Sequence, residues 1–187
     1  MSNAKHLGAL GICLLVGEAR AGECSVVARA LVNPGFESDA AGVAQVAWAL
    51  EVLHRGECLH RDVKGDNIRV TAAGRAVLVD WGSGWFAGAH PLTDTTAPPG
   101  TNAYRPPEQK AFMWRFRKDV EARWHAQPSD DLYALGVALY RCVTGVYLPP
   151  CTDGGEPVER EVLPPSAMAT LCPELEALTL RLLSEDR

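Results

Sequence analysis

Asn67 and Asp80 stand at the two ends of a segment that reads as a strand, a turn and a second strand. Ile68-Arg69-Val70-Thr71 and Ala76-Val77-Leu78-Val79 have the apolar, β-branched character of short strands, and Ala72-Ala73-Gly74-Arg75 joins them. Folding this hairpin brings an amide and a carboxylate to one place. It also brings together the stretches that carry them, His60-Arg61-Asp62-Val63-Lys64-Gly65-Asp66-Asn67 and Asp80-Trp81-Gly82. Any one of these polar residues alone reads as a solvated turn. A carboxylate at 62, an ammonium at 64, an amide at 67 and a carboxylate at 80, gathered at one hairpin, read as a site.

The flanks are helical. Asn33-Pro34-Gly35 signals a turn, Ser38-Asp39 can cap a helix, and Val43, Val46, Ala47, Leu50 and Leu53 recur at helical spacing from about Ala40 to Arg55. A second helix follows Pro128-Ser129-Asp130, with Leu132, Leu135, Leu139 and Val143 as its stripe and Thr144-Gly145 as its stop. A third runs from Glu174 to Leu183. Residues 83–100 and 148–165 lack periodicity and read as irregular.

At 187 residues the chain can bury one domain core. Its net charge of −5, with no basic block, points away from nucleic acid and from an anionic membrane surface as partners. The six cysteines show no zinc spacing and read as reduced thiols. The apolar run Leu7–Val16 is too short to span a bilayer. Ala19-Arg20-Ala21 after it imitates a cleavage site, so secretion is the alternative to the expected cytoplasmic location.

The octamer resembles the catalytic loop of protein kinases (H-R-D-x-x-x-x-N), and Asp80-Trp81-Gly82 their D-F-G element with Trp for Phe. Gly100-Thr101-Asn102-Ala103-Tyr104-Arg105-Pro106-Pro107-Glu108 is similar to the G-T-x-x-Y-x-x-P-E stretch that closes the activation loop. The lysine at 64 is the Ser/Thr form, as in the bacterial eukaryotic-like kinases. The resemblance implies a protein-kinase-like fold, C-lobe only, mainly α with a small catalytic β-hairpin. Residues 1–37 would then be a non-kinase-like or remnant segment. Residues 38–187 would be the C-lobe, from helix E to near helix H and truncated before the last helix.

The resemblance also implies roles. Asp62 is the catalytic carboxylate and Lys64 the phosphate contact, while Asn67 and Asp80 hold Mg²⁺ beside ATP through the oxygen atoms that this hard cation prefers. Thr101 shapes the acceptor pocket. Asp131 pins the backbone of the loop that holds His60 and Arg61, and Trp81 and Gly82 complete their triplet. Arg61 is of the kind that pairs with a phosphorylated activation-loop residue, for which Thr93, Thr95 and Thr96 are candidates. A protein is the implied substrate.

Departures bound the inference. Residues 1–59 contain no G-x-G-x-x-G, and Lys5 is the sole lysine before Lys64. The Lys–Glu pair of the upper lobe is therefore missing, and weak or absent turnover is expected of the chain alone. Arg69 stands where an aliphatic floor under adenine is usual. Glu108 is expected to lack the arginine that normally pairs with it. The stretch 110–127, with Phe112, Trp114, Phe116 and Trp124 among basic residues, reads as an inserted amphipathic helix, or as a docking site for a protein partner. The alternatives to an enzyme are a pseudokinase-like binding module and a fragment with no function of its own.

Overall fold

A computed structural model describes residues 40–89, 96, 98–185 and 187. The readings of the N-terminal segment, including its signal-like run, and of Thr93 and Thr95 lie outside the described residues.

The first helix, α1 (Ala40–Arg55), buries Val43, Val46, Ala47 and Leu50 along one face, as their spacing requires. Cys58–Leu59 (β1) follows directly. The expected hairpin forms between Ile68–Val70 (β2) and Ala76–Leu78 (β3), antiparallel with Ile68 opposite Leu78 and Val70 opposite Ala76. Gln45 of α1 reaches the hairpin, its Oε1 accepting from Ala76 N at 2.6 Å. The helix thus satisfies a backbone donor that the short ladder leaves over.

Trp85–Phe86 (β4) pairs with β1, Leu59 opposite Trp85. This corrects the reading of residues 83–100 as loop throughout. A two-residue strand carries too little pattern to be seen in sequence. The same holds for Thr152–Asp153 (β5) and Glu156–Pro157 (β6), a small antiparallel pair in the stretch read as irregular.

Helix α2 spans Pro107–Arg115 and stops there. The aromatic-basic stretch is therefore not one inserted helix, since residues 119–127 turn back without helical structure. Its aromatics pack together, with the Phe112 ring 4.6 Å from Phe116 and 5.4 Å from Trp124.

Helix α3 (Pro128–Thr144) begins with proline at its first turn, where the missing N–H costs nothing. A capping box between Gln127 and Asp130 closes that end, and Gly145 at φ 76° closes the other. It is buried almost throughout and forms the centre of the core with Leu50, Ile68, Leu78 and Leu182. Helix α4 (Pro173–Leu183) lies on it. At Gly136 a Cβ would stand 2.8 Å from Leu182 Cβ, so the two helices meet over bare backbone.

Cys58 and Cys151 carry free thiols. Among the described residues no helix is long and apolar enough to cross a membrane.

Candidate active site

The segment after β1 owes its shape to a carboxylate 70 residues away in sequence. Asp131, in the first turn of α3 and 1% exposed, accepts His60 N at 2.9 Å on Oδ2 and Arg61 N at 2.8 Å on Oδ1. His54 Nε2 of α1 reaches Oδ2 at 3.0 Å. With two successive amides held by one carboxylate, the chain turns sharply, and Arg61 adopts a left-handed φ of 65°. The buried His60 ring ties the loop to the hairpin. Its Nε2 donates to the Val79 carbonyl at 3.1 Å, and its Nδ1 accepts from Asp62 N at 3.3 Å. Trp81 meets this ring edge-on, centroids 4.6 Å apart.

This turn presents Asp62. Lys64 Nζ lies 2.8 Å from Asp62 Oδ2, and Asn67 Nδ2 donates to the same oxygen at 3.1 Å and to the Asp62 carbonyl at 2.9 Å. On Oδ1 the carboxylate accepts from Thr101 N at 3.0 Å and from Thr101 Oγ1 at 2.7 Å. Lys64 Nζ closes a triangle by donating to Thr101 Oγ1 at 3.0 Å. Burial pushes the Asp62 carboxyl up. The hydrogen bonds from Lys64, Thr101 and Asn67, together with the Lys64 charge, outweigh that and hold it below its ordinary value. Asp62 is thus an ionised acceptor at neutral pH.

The hairpin brings Asn67 beside the residue that precedes Asp80. Val79 N donates to Asn67 O at 2.8 Å, continuing the β2–β3 register to the residue before Asp80. The buried Asn67 amide turns its Nδ2 toward Asp62. Asp80 is exposed at φ 65°, its Oδ1 accepting from Gly82 N at 3.3 Å. An amide oxygen and a carboxylate fit Mg²⁺ shared with a nucleotide, which uses one or two protein oxygens rather than a cage. Among the described residues there is no group of three or more His, Cys, Asp or Glu able to hold a metal on its own.

One expectation is corrected here. Glu108 does not lack an arginine, because Arg187 pairs with its Oε1 and also donates to Ser129 O at 3.0 Å. The Arg61 guanidinium rests on backbone carbonyls. Its Nε donates to Ser83 O at 2.6 Å and its Nη2 to Gly84 O at 3.2 Å. Arg69 is exposed on β2.

The sequence reading missed His54, Gly100 as a contact residue and Arg105. His54 had a signal, one turn beyond the buried Leu50 of α1. Gly100 and Arg105 act through backbone approach and carbonyl binding, which leave no spacing rule.

A carboxylate, a lysine and a hydroxyl in one hydrogen-bonded triangle, with an amide on the same carboxylate, match the catalytic-loop arrangement of the protein kinase class. The chain belongs to that family: the model of the protein kinase domain matches residues 31–177. It is 42% identical over 103 residues to the serine/threonine-protein kinase PknD of Mycobacterium tuberculosis, 55% of this chain and 14% of that protein. It is 36% identical over 102 residues to PknA of the same species, 54% of this chain and 21% of the relative. It is 38% identical over 101 residues to PknA of Corynebacterium glutamicum, 54% and 19%. The matched part is thus less than a quarter of each of these relatives.

Proposed function

We propose that this chain carries the catalytic lower lobe of a Ser/Thr protein kinase, which transfers the ATP γ-phosphate to a protein hydroxyl with Mg²⁺. The observation that carries the reading is the Asp62–Lys64–Thr101 triangle. An alcohol oxygen already lies 2.7 Å from the carboxylate and 3.0 Å from the ammonium. A substrate Ser or Thr hydroxyl arriving on that face finds an acceptor for its proton and a cation beside it.

The roles follow from chemistry. Asp62, kept ionised, accepts the hydrogen bond from the incoming hydroxyl and orients its oxygen for attack. Lys64 offsets negative charge on the group in transfer. Asn67 locks the Asp62 carboxylate through Nδ2, and its oxygen together with Asp80 would hold the Mg²⁺. Bound Mg²⁺–ATP supplies the phosphoryl group and neutralises its charge. Asp131 acts through the loop backbone, and Thr101 through the carboxylate it touches. Trp81 packs on His60 where the motif usually has Phe, which keeps the hairpin and the loop in register.

Residues 1–59 carry no glycine-rich phosphate loop and no Ala-x-Lys. The 187-residue chain is therefore proposed to bind nucleotide from one side and to turn over weakly alone. Calorimetry of Mg²⁺–ATP against the purified chain, with Asp80→Ala as control, is the test. Saturable, Mg²⁺-dependent binding that the variant loses supports the reading, and phosphotransfer to a Ser/Thr peptide then follows. A folded chain that binds no Mg²⁺–ATP would leave the binding-module reading in its place.

A further inference from the structure

Thr101 reaches Asp62 because the chain from Pro98 to Thr101 is pressed against the catalytic loop. The approach is close: Gly100 has φ +125°, and a Cβ there would lie 2.5 Å from the Arg61 carbonyl oxygen. Backbone in that conformation needs something to hold it. A phosphate captured by Arg61 would be one holder. The Arg61 guanidinium is already engaged at the other end of the segment, on Ser83 and Gly84.

The holder present is Arg105. Its Nη2 donates to Pro98 O at 2.8 Å and to Gly100 O at 3.0 Å, bracketing the close approach from behind. Its Nη1 rests on Met113 Sδ of α2 at 3.1 Å. The one-turn helix Asn102–Tyr104 makes this possible, reversing the chain so that Arg105 faces the segment four residues behind it. Tyr104 anchors that turn, 4% exposed in the core. A guanidinium suits the task because it is planar, permanently charged and able to serve two carbonyls at once. A second tie lies upstream, where Trp124 N donates to Thr96 O at 3.4 Å. The aromatic-basic stretch thereby touches the same segment.

We propose that Arg105 is a positioning residue, holding Pro98–Thr101 on Asp62 from within the chain, so that the acceptor side takes its shape without a phosphate on Arg61. The meaning of this shape rests on the phosphoryl-transfer reading. The test does not.

Amide hydrogen exchange at Gly100 and Thr101 is followed in the full chain, in Arg105→Leu and in Arg105→Lys. Arg105→Leu is expected to speed exchange at both amides about tenfold while the amides of α3 stay protected. Arg105→Lys, which keeps the charge but cannot bracket both carbonyls, falls between. A wild-type rate in Arg105→Leu overturns the proposal. If that variant loses protection in α3 as well, Arg105→Lys decides: faster exchange confined to residues 100–101 supports the proposal, and a wild-type rate overturns it. Phosphatase treatment of the wild-type chain should leave both rates unchanged, and faster exchange after it overturns the phosphate-free reading. Failure of the kinase reading shows separately, as absent Mg²⁺–ATP binding with the Arg105 effect intact.

Discussion

Replacing Asp131 by asparagine tests whether α3 shapes the catalytic loop or only abuts it. The buried carboxylate holds His60 N and Arg61 N on separate oxygens at 2.9 and 2.8 Å. Asparagine keeps the size but has one acceptor, so its NH₂ must face one of the two amides. The lost charge-assisted bond is worth about 1.5–3 kcal/mol, and the orphaned amide adds about 1–3 kcal/mol. With some relaxation of the loop, the expected loss is about 3 kcal/mol. Asp130→Asn, one residue earlier, is the matched control. Trp124 Nε1 at 2.7 Å and Gln127 N at 3.0 Å both bond Asp130 Oδ2, while Oδ1 is buried without a hydrogen-bond partner. Burial pushes this carboxyl up, as does the Asp131 charge, against the pull of those two bonds. Asparagine preserves both bonds and removes a buried charge, so it should stay within about 1 kcal/mol of wild type. Urea unfolding followed by tryptophan fluorescence separates the two. With a slope of about 2 kcal/mol/M, Asp131→Asn lowers the midpoint by roughly 1.5 M and Asp130→Asn by less than about 0.5 M. Equal midpoints, or an Asp131→Asn loss under about 1 kcal/mol, would reduce Asp131 to a carboxylate favoured by the helix dipole.

Two further outcomes are expected. The folded Asp62 carboxyl is depressed below its unfolded value of about 3.9. Its contribution to stability is therefore present above that value and lost as pH falls through the folded one. Carboxyl ¹³C titration should show the low midpoint, and Thr101→Val should raise it; a midpoint at or above the ordinary aspartate value contradicts the hydrogen-bond account. Arg187, its side chain 2% exposed against 44% for Glu108, also bonds Ser129 O and lies over the Tyr133 ring. Arg187→Ala should cost about 2 kcal/mol in thermal unfolding and Glu108→Ala under about 1, and equal costs would assign the whole effect to the ion pair.

The helices and the catalytic hairpin were legible because each repeats a pattern over enough residues to average out exceptions. Val43, Val46, Ala47 and Leu50 mark a helix face without help from the rest of the chain, and α1 runs from Ala40 to Arg55 as read. β4–β1 was not legible, since two-residue strands depend on partners 26 and 28 residues away rather than on their own composition. At the site, Asp62, Lys64, Asn67, Thr101 and Asp131 converge as the motif spacing suggested. The partner of Glu108 was not foreseen, because the final arginine reaches it only after α4 packs on α3. Arg61 and Arg105 were opaque for another reason. Both bind backbone carbonyls, and every residue in the chain offers one.

The reach of Asp131 also has a temporal side. His60 leaves the ribosome 71 residues ahead of the carboxylate that receives its amide, an interval of several seconds at about 5–20 residues per second. Until α3 is made, the loop lacks the carboxylate that bends Arg61 into its left-handed turn, and the His60 N–H is left to water. The most recognisable stretch of the sequence is thus among the last parts of the structure to take shape, and a stalled or shortened chain would display the motif without the geometry.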